Sequence, residues 1–248
     1  MELTLILAVE VAFIAAAFLK GMTGLGFSTL CLGMLASFVD LKLSIPLVIL
    51  PSLTSNALVM IDAGEFRSTF RRFVPMFVCA FPGLLMGLWL LNSMSGDRPR
   101  FVLGIVLALY GCWALLQGEY VLPENWQRRL MGPVGLVTGV INGLTGSQIM
   151  PILPYLLSLG LTKNIVVQAI NTSFTISSLV MLLGLGKLGL LSAELITISA
   201  VGIIPVAVGI RLGSRVRRRV SEALFRVLVL WMLILLGVSL IMRSWAAM

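Results

Sequence analysis

The chain has 248 residues, 59% hydrophobic and 11% charged, with a mean hydropathy of +1.07 and a formal net charge of +8. A soluble domain is about 45–50% apolar and about 25% charged, so disorder and a nucleic-acid-binding domain are both excluded despite a pI near 10.1, and a polytopic membrane protein remains. There is no histidine, which removes the commonest metal ligand and the commonest general acid/base together; no metal or other cofactor is expected.

Apolar stretches recur at about 3–19, 27–39, 43–61, 73–92, 101–117, 130–142, 149–159, 164–186, 189–210 and 224–242. The first begins after Glu2 with no basic residue ahead of it, unlike a secretory signal, and is read as part of the mature protein. Glu10 is the only acid deep in that run; it either carries a coupling ion or sits close enough to the surface to stay solvated. Cys31, Cys79 and Cys112 lie at unrelated spacings inside apolar runs and read as small core residues.

A helix needs about 20 residues to span the hydrocarbon, and six of the runs are near that length: 43–61, 73–92, 101–117, 164–186, 189–210 and 224–242. The other four form two adjacent pairs, each split by a glycine-rich break. One break is Lys20-Gly21-Met22-Thr23-Gly24-Leu25-Gly26 and the other is Asn142-Gly143-Leu144-Thr145-Gly146-Ser147-Gln148. Gly21-x-Thr23-Gly24 recurs as Gly143-x-Thr145-Gly146 at an offset of 122. Leu58-Val59-Met60 recurs as Leu179-Val180-Met181 at 121, and Gly64 faces Gly186 at 122. A common register in three features points to duplication, with residues 1–122 and 123–248 as two membrane repeats of one transmembrane domain.

Loop charge chooses the threading. With each broken pair as one kinked span, loop Lys and Arg divide 7 to 9. With each pair entering and leaving on one side, Arg67, Arg71, Arg72, Arg128, Arg129, Lys163, Arg211, Arg215, Arg217, Arg218 and Arg219 share a side, 11 in all. Lys42, Arg98, Arg100, Lys187 and Arg243, 5 in all, take the other. The positive-inside rule favours this second threading and makes the richer side cytoplasmic. The expected fold is therefore all-α, with two inverted repeats. Each repeat is a Gly-broken helical hairpin, re-entrant or doubly crossing, plus three transmembrane helices, and both termini are extracytoplasmic. Arg215–Arg219 beside a span reads as a topology signal and a contact for anionic lipid, not for nucleic acid.

Irregular backbone at membrane depth is tolerated only where protein buries it or it lines a cavity. In secondary transporters, paired broken helices of inverted repeats meet near the midplane, where half-helix N-termini face anionic groups. The breaks are accordingly read as a substrate-binding site for a small anion. Its residues are Lys20, Gly21, Thr23, Gly24, Gly26 and Ser28 at the first break and Asn142, Gly143, Thr145, Gly146, Ser147 and Gln148 at the second. Asn56 joins them from the element after the first break, and Asn171 and Thr172 from the element after the second. Lys20 could neutralise the anion directly, and Glu10 is the coupling candidate. The patterns Gly83-x-x-x-Gly87 and Gly135-x-x-x-Gly139-x-x-x-Gly143 read instead as helix-packing faces.

With two half-repeats each opening on such a break, the chain resembles the sulfite exporter TauE/SafE family of bacterial membrane transporters. The resemblance rests on Gly21–Phe27, Gly143–Gly146, Leu43–Met60 and Leu161–Met181. It implies movement of sulfite, sulfonates or related organic anions across the inner membrane, most often as export. The chain departs from the family at Cys31 or Leu32, where a proline is common, and at Ser147-Gln148, where further glycines are common. Without a Walker A sequence, the drive would be an ion gradient, of protons or sodium. An anion channel is the alternative, and an intramembrane enzyme a more distant one.

Overall fold

The computed structural model describes residues 3–23, 26–94, 97–116, 121–216 and 222–247, and every regular element among them is a helix. In chain order these are α1 (Leu3–Thr23), α2 (Phe27–Leu35), α3 (Leu41–Ala63), α4 (Phe66–Ser93), α5 (Asp97–Leu116) and α6 (Glu124–Thr145). They continue with α7 (Ile152–Leu157), α8 (Lys163–Lys187), α9 (Ala193–Val201), α10 (Ile203–Val216) and α11 (Glu222–Ala247). Among the described residues, seven segments are long and apolar enough to cross a membrane: α1, α3, α4, α5, α8, α9 with α10, and α11. The 22-residue α6 is as long as these but carries Glu124, Arg128 and Arg129 in its first turns. Large outward side chains such as Trp89, Leu183, Ile204 and Leu235 are apolar, as a hydrocarbon solvent requires.

All six long apolar runs are helical. The run expected at 189–210 lies at Ala193–Val216 and is divided at Gly202, where the Phe13 ring fills the space a Cβ would need. The two broken pairs have unequal arms. At about 1.5 Å per residue, α1 and α6 extend about 31–33 Å, whereas α2 and α7, of 9 and 6 residues, extend only about 9–14 Å.

Close helix crossings set the packing. On the α4–α6 contact, a Cβ at Gly83 would overlap the Leu136 carbonyl, and one at Gly139 would overlap the Ala80 carbonyl. Gly87, Gly135 and Gly143 press on the facing backbone in the same way, so both glycine patterns are packing faces. The α1–α10 contact is built alike, with Gly21 against the Ile210 carbonyl and Gly213 against that of Phe18. Helix α5 pairs with α11, and α3 pairs with α8. Of the seven spans, α3 and α8 are the most enclosed.

Five prolines sit inside α3, α4 and α6, and one of them leaves a visible debt. Pro51 has no N–H to give to the carbonyl four residues back, which is that of Leu47. Ser199 of α9 supplies the missing donor, its hydroxyl 2.8 Å from the Leu47 oxygen. At the two ends of the bundle, other contacts tie distant turns together. The Leu122 N–H donates to the Ser158 carbonyl at 2.8 Å, bringing the start of α6 beside the end of α7. Arg243, near the end of α11, in turn donates to the carbonyl of Ser37, just past α2, at 2.7 Å.

Candidate functional site

Both breaks begin with the same device. Thr23 Oγ1 donates back to the Leu19 carbonyl at 3.0 Å, and Thr145 Oγ1 donates to the Ile141 carbonyl at 2.7 Å. Each threonine thereby gives a second donor to a carbonyl one turn back in its own helix. After α6, the Gly146 N–H donates to the Asn142 carbonyl at 2.7 Å while Gly146 itself adopts φ 72°. That left-handed turn favours glycine and gives an αL helix end. Ser147 N–H then donates to Thr145 Oγ1 at 3.1 Å. After α1, Gly26 at φ 87° precedes α2, whose first turn has no side-chain cap. Gly24 lies outside the described residues.

Lys20 is in the last turn of α1 and is 1% exposed. Its Nζ lies 3.0 Å from Ser55 Oγ, 2.6 Å from Asn56 Oδ1 and 3.1 Å from Asn171 Oδ1. Three acceptors meet the three N–H donors of an ammonium. The two amide oxygens can only accept, and Ser55 directs its own proton to the Ser52 carbonyl at 2.8 Å. Asn171 is turned toward the lysine because its Nδ2 donates to the Val167 carbonyl at 2.8 Å. Among the described residues, the Lys20 amine is thus held by α3 and α8 through neutral dipoles.

Beside this cluster is a cavity of ≈ 20 Å³, room for about one water. Ser28, Ser52, Asn142, Gly146, Gln148 and Ser178 line its polar side. Ser28 and Ser52 hydroxyls are 2.6 Å apart, and Ser52 stands one turn from Ser55 on α3. Thr29 and Ser147 hydroxyls are 3.0 Å apart and join the helix after the first break to the second break itself. Gln148 Nε2 reaches Ser178 Oγ at 3.4 Å, while its Oε1 has no partner. Asn142 Nδ2 and Asn56 Nδ2 are likewise buried without partners. Unmade hydrogen bonds of this kind cost about 1–3 kcal/mol each, and they cluster here.

The structure therefore brings Lys20, Ser28, Asn56, Asn142, Gly146, Ser147, Gln148 and Asn171 into one buried polar region. Thr172 is buried on α8 beside Asn171. Gly21 and Gly143 serve helix crossings, and Thr23 and Thr145 finish helices. Glu10 stands apart, nearly three turns before Lys20 on α1, with both carboxyl oxygens buried and unpartnered. Ser178 was not anticipated, although it lies seven residues after Asn171 on the same face of α8. Of Arg215–Arg219, Arg215 ends α10, and Arg217–Arg219 lie outside the described residues.

The family model for the sulfite exporter TauE/SafE matches residues 9–240. The chain belongs to that family. No curated protein and no solved structure matches the chain. It is accordingly a multi-pass protein of the bacterial inner membrane and a secondary anion transporter, not an enzyme.

Proposed function

We propose that this TauE/SafE member exports sulfite, a sulfonate or a related small organic anion, and that the anion binds where the two glycine breaks meet. The observation that carries this reading is a fully buried lysine, Lys20, with no acidic partner among the described residues, beside a cavity lined from both halves. The cavity offers Ser28, Ser52 and Ser178 hydroxyls and the unpartnered Asn142 amide, all able to donate to oxyanion oxygens. The uncapped first turn of α2 adds backbone N–H groups at the same depth. A cavity of ≈ 20 Å³ holds no sulfite as it stands; the site must open to load, which fits a carrier better than a standing pore.

The transport cycle rests on two inverted repeats. Helix α1 packs on α10 while α6 packs on α4, and α3 and α5 meet α8 and α11, the exchange a two-fold relation between halves requires. The Leu122–Ser158 bond favours a hairpin that returns to the side from which it started. The basic loops then face the cytoplasm, the termini lie outside, and Arg215–Arg219 meets anionic headgroups. Glu10, desolvated and unpaired, carries the coupling proton; sodium is the alternative ion.

Flux of labelled sulfite, sulfoacetate, taurine and lactate in proteoliposomes tests the proposal. Saturable flux that responds to a proton or sodium gradient is expected. Unsaturable conductance would assign a channel, and no flux of any of these anions would remove the reading.

A further inference from the structure

A second concave region lies at the end of the bundle where α4 and α6 begin. It is a cleft of ≈ 920 Å³, lined by Arg72 of α4, Glu124, Arg128 and Arg129 of α6, and Tyr155 and Leu159 around the end of α7. Three arginines and one glutamate line it, and among the described residues none of the three arginines is ion-paired with an acid. Arginines used only as a topology signal have no reason to converge on one hollow.

The cleft is joined to the deep cavity by one short piece of chain. Gln148 lines the cavity, and Tyr155, seven residues later, lines the cleft. Tyr155 is 4% exposed, and its hydroxyl donates to the Gln127 carbonyl at 2.6 Å. That bond holds the six-residue α7 against the start of α6.

We propose that this cleft is an anion-binding antechamber, a second site that takes the small oxyanion cargo before it passes α7 to the deep cavity. Guanidinium groups suit it: each presents a planar fork of donors to sulfonate, sulfite or carboxylate oxygens. At an open site such charges act chiefly by raising the local concentration of the anion. The inference rests on the transport reading for its cargo. A phosphate headgroup of an anionic lipid offers the same oxyanion chemistry, and the experiment separates the two sources.

The test uses the full chain in phosphatidylcholine vesicles of one orientation, with labelled sulfite supplied to either face. Arg128→Gln with Arg129→Gln, and separately Arg72→Gln, should raise KM from the cleft side about three- to ten-fold. The maximal rate should stay within about two-fold, and the effect should shrink at high salt. Flux from the opposite face and the control Arg211→Gln should keep the parent KM. An unchanged KM from the cleft side overturns the proposal. So does an effect that appears only when the vesicles contain phosphatidylglycerol, since the ligand is then a lipid. If the parent protein moves no anion, the transport reading fails by itself. Equilibrium dialysis of labelled sulfite against the detergent-purified protein then decides the cleft: weaker binding by the double variant supports it, and equal binding overturns it.

Discussion

Thr29 and Ser147 stand 118 residues apart in sequence and 3.0 Å apart at their hydroxyl oxygens. Thr29 opens the helix after the first glycine break and Ser147 lies within the second, so this contact ties one broken helix to the other in the buried interior. Buried hydroxyl pairs contribute about 1 kcal/mol. Thr29→Val and Ser147→Ala should each lower stability by about that amount, and the double variant should lose little more than either. Thermal unfolding of the four proteins in detergent gives this coupling; full additivity would dissolve the link.

Lys20→Met should fold and fail to transport. It removes a buried lysine and strands the amide oxygens of Asn56 and Asn171. A loss of at least about ten-fold in anion affinity is expected, the scale of one charge-assisted hydrogen bond. Gln148→Ala should raise KM with a monodisperse elution profile retained. Parent-like sulfite binding in both variants would remove these side chains from the site.

Glu10→Gln should separate flux from its driving ion. The amide keeps the shape of a carboxyl that has no hydrogen-bond partner, so downhill exchange of anion for anion should persist. Uphill flux driven by a pH gradient should be lost. Retained uphill flux in Glu10→Gln would assign the coupling ion elsewhere.

Ser199→Ala should destabilise the protein by about 1–3 kcal/mol, because the Leu47 carbonyl freed by Pro51 then has no donor. Sulfite KM should not change, since Ser199 is no part of the cavity lining. Pro51→Ala in the Ser199→Ala background should recover most of the loss in thermal stability by restoring the helical donor. No recovery would mean that the serine acts through packing alone.

What could be read from the sequence followed the chemistry of single segments. The breaks were visible because glycine and threonine recur at one offset, and the long spans because hydrocarbon demands long apolar runs. The glycine faces of α4 and α6 were also legible as packing surfaces. Partnerships across the fold were not. Lys20 reads from sequence as an open ligand for an anion, yet Ser55, Asn56 and Asn171 already hold it, the last from 151 residues away. Nothing local in Ser199 announces that it answers Pro51. Ser178 was within reach, since its spacing from Asn171 puts both on one face of α8, but serines are common in helices and the signal is weak. The brevity of α7 was hidden because the apolar run at 149–159 extends past both ends of the helix, and Ile149–Pro151 and Ser158-Leu159 are not helical.

The holding of Lys20 by three neutral groups has an electrical corollary. In its protonated form Lys20 has no internal counter-charge among the described residues, so a bound monovalent anion would leave the site neutral and the empty, protonated site would carry +1. If the site shifts between faces, the membrane voltage acts on the empty return stroke and leaves the loaded one untouched. Each elementary charge moved through 100 mV is worth about 2.3 kcal/mol. A cell interior that is negative would therefore draw the unloaded site inward, resetting an exporter for its next ion.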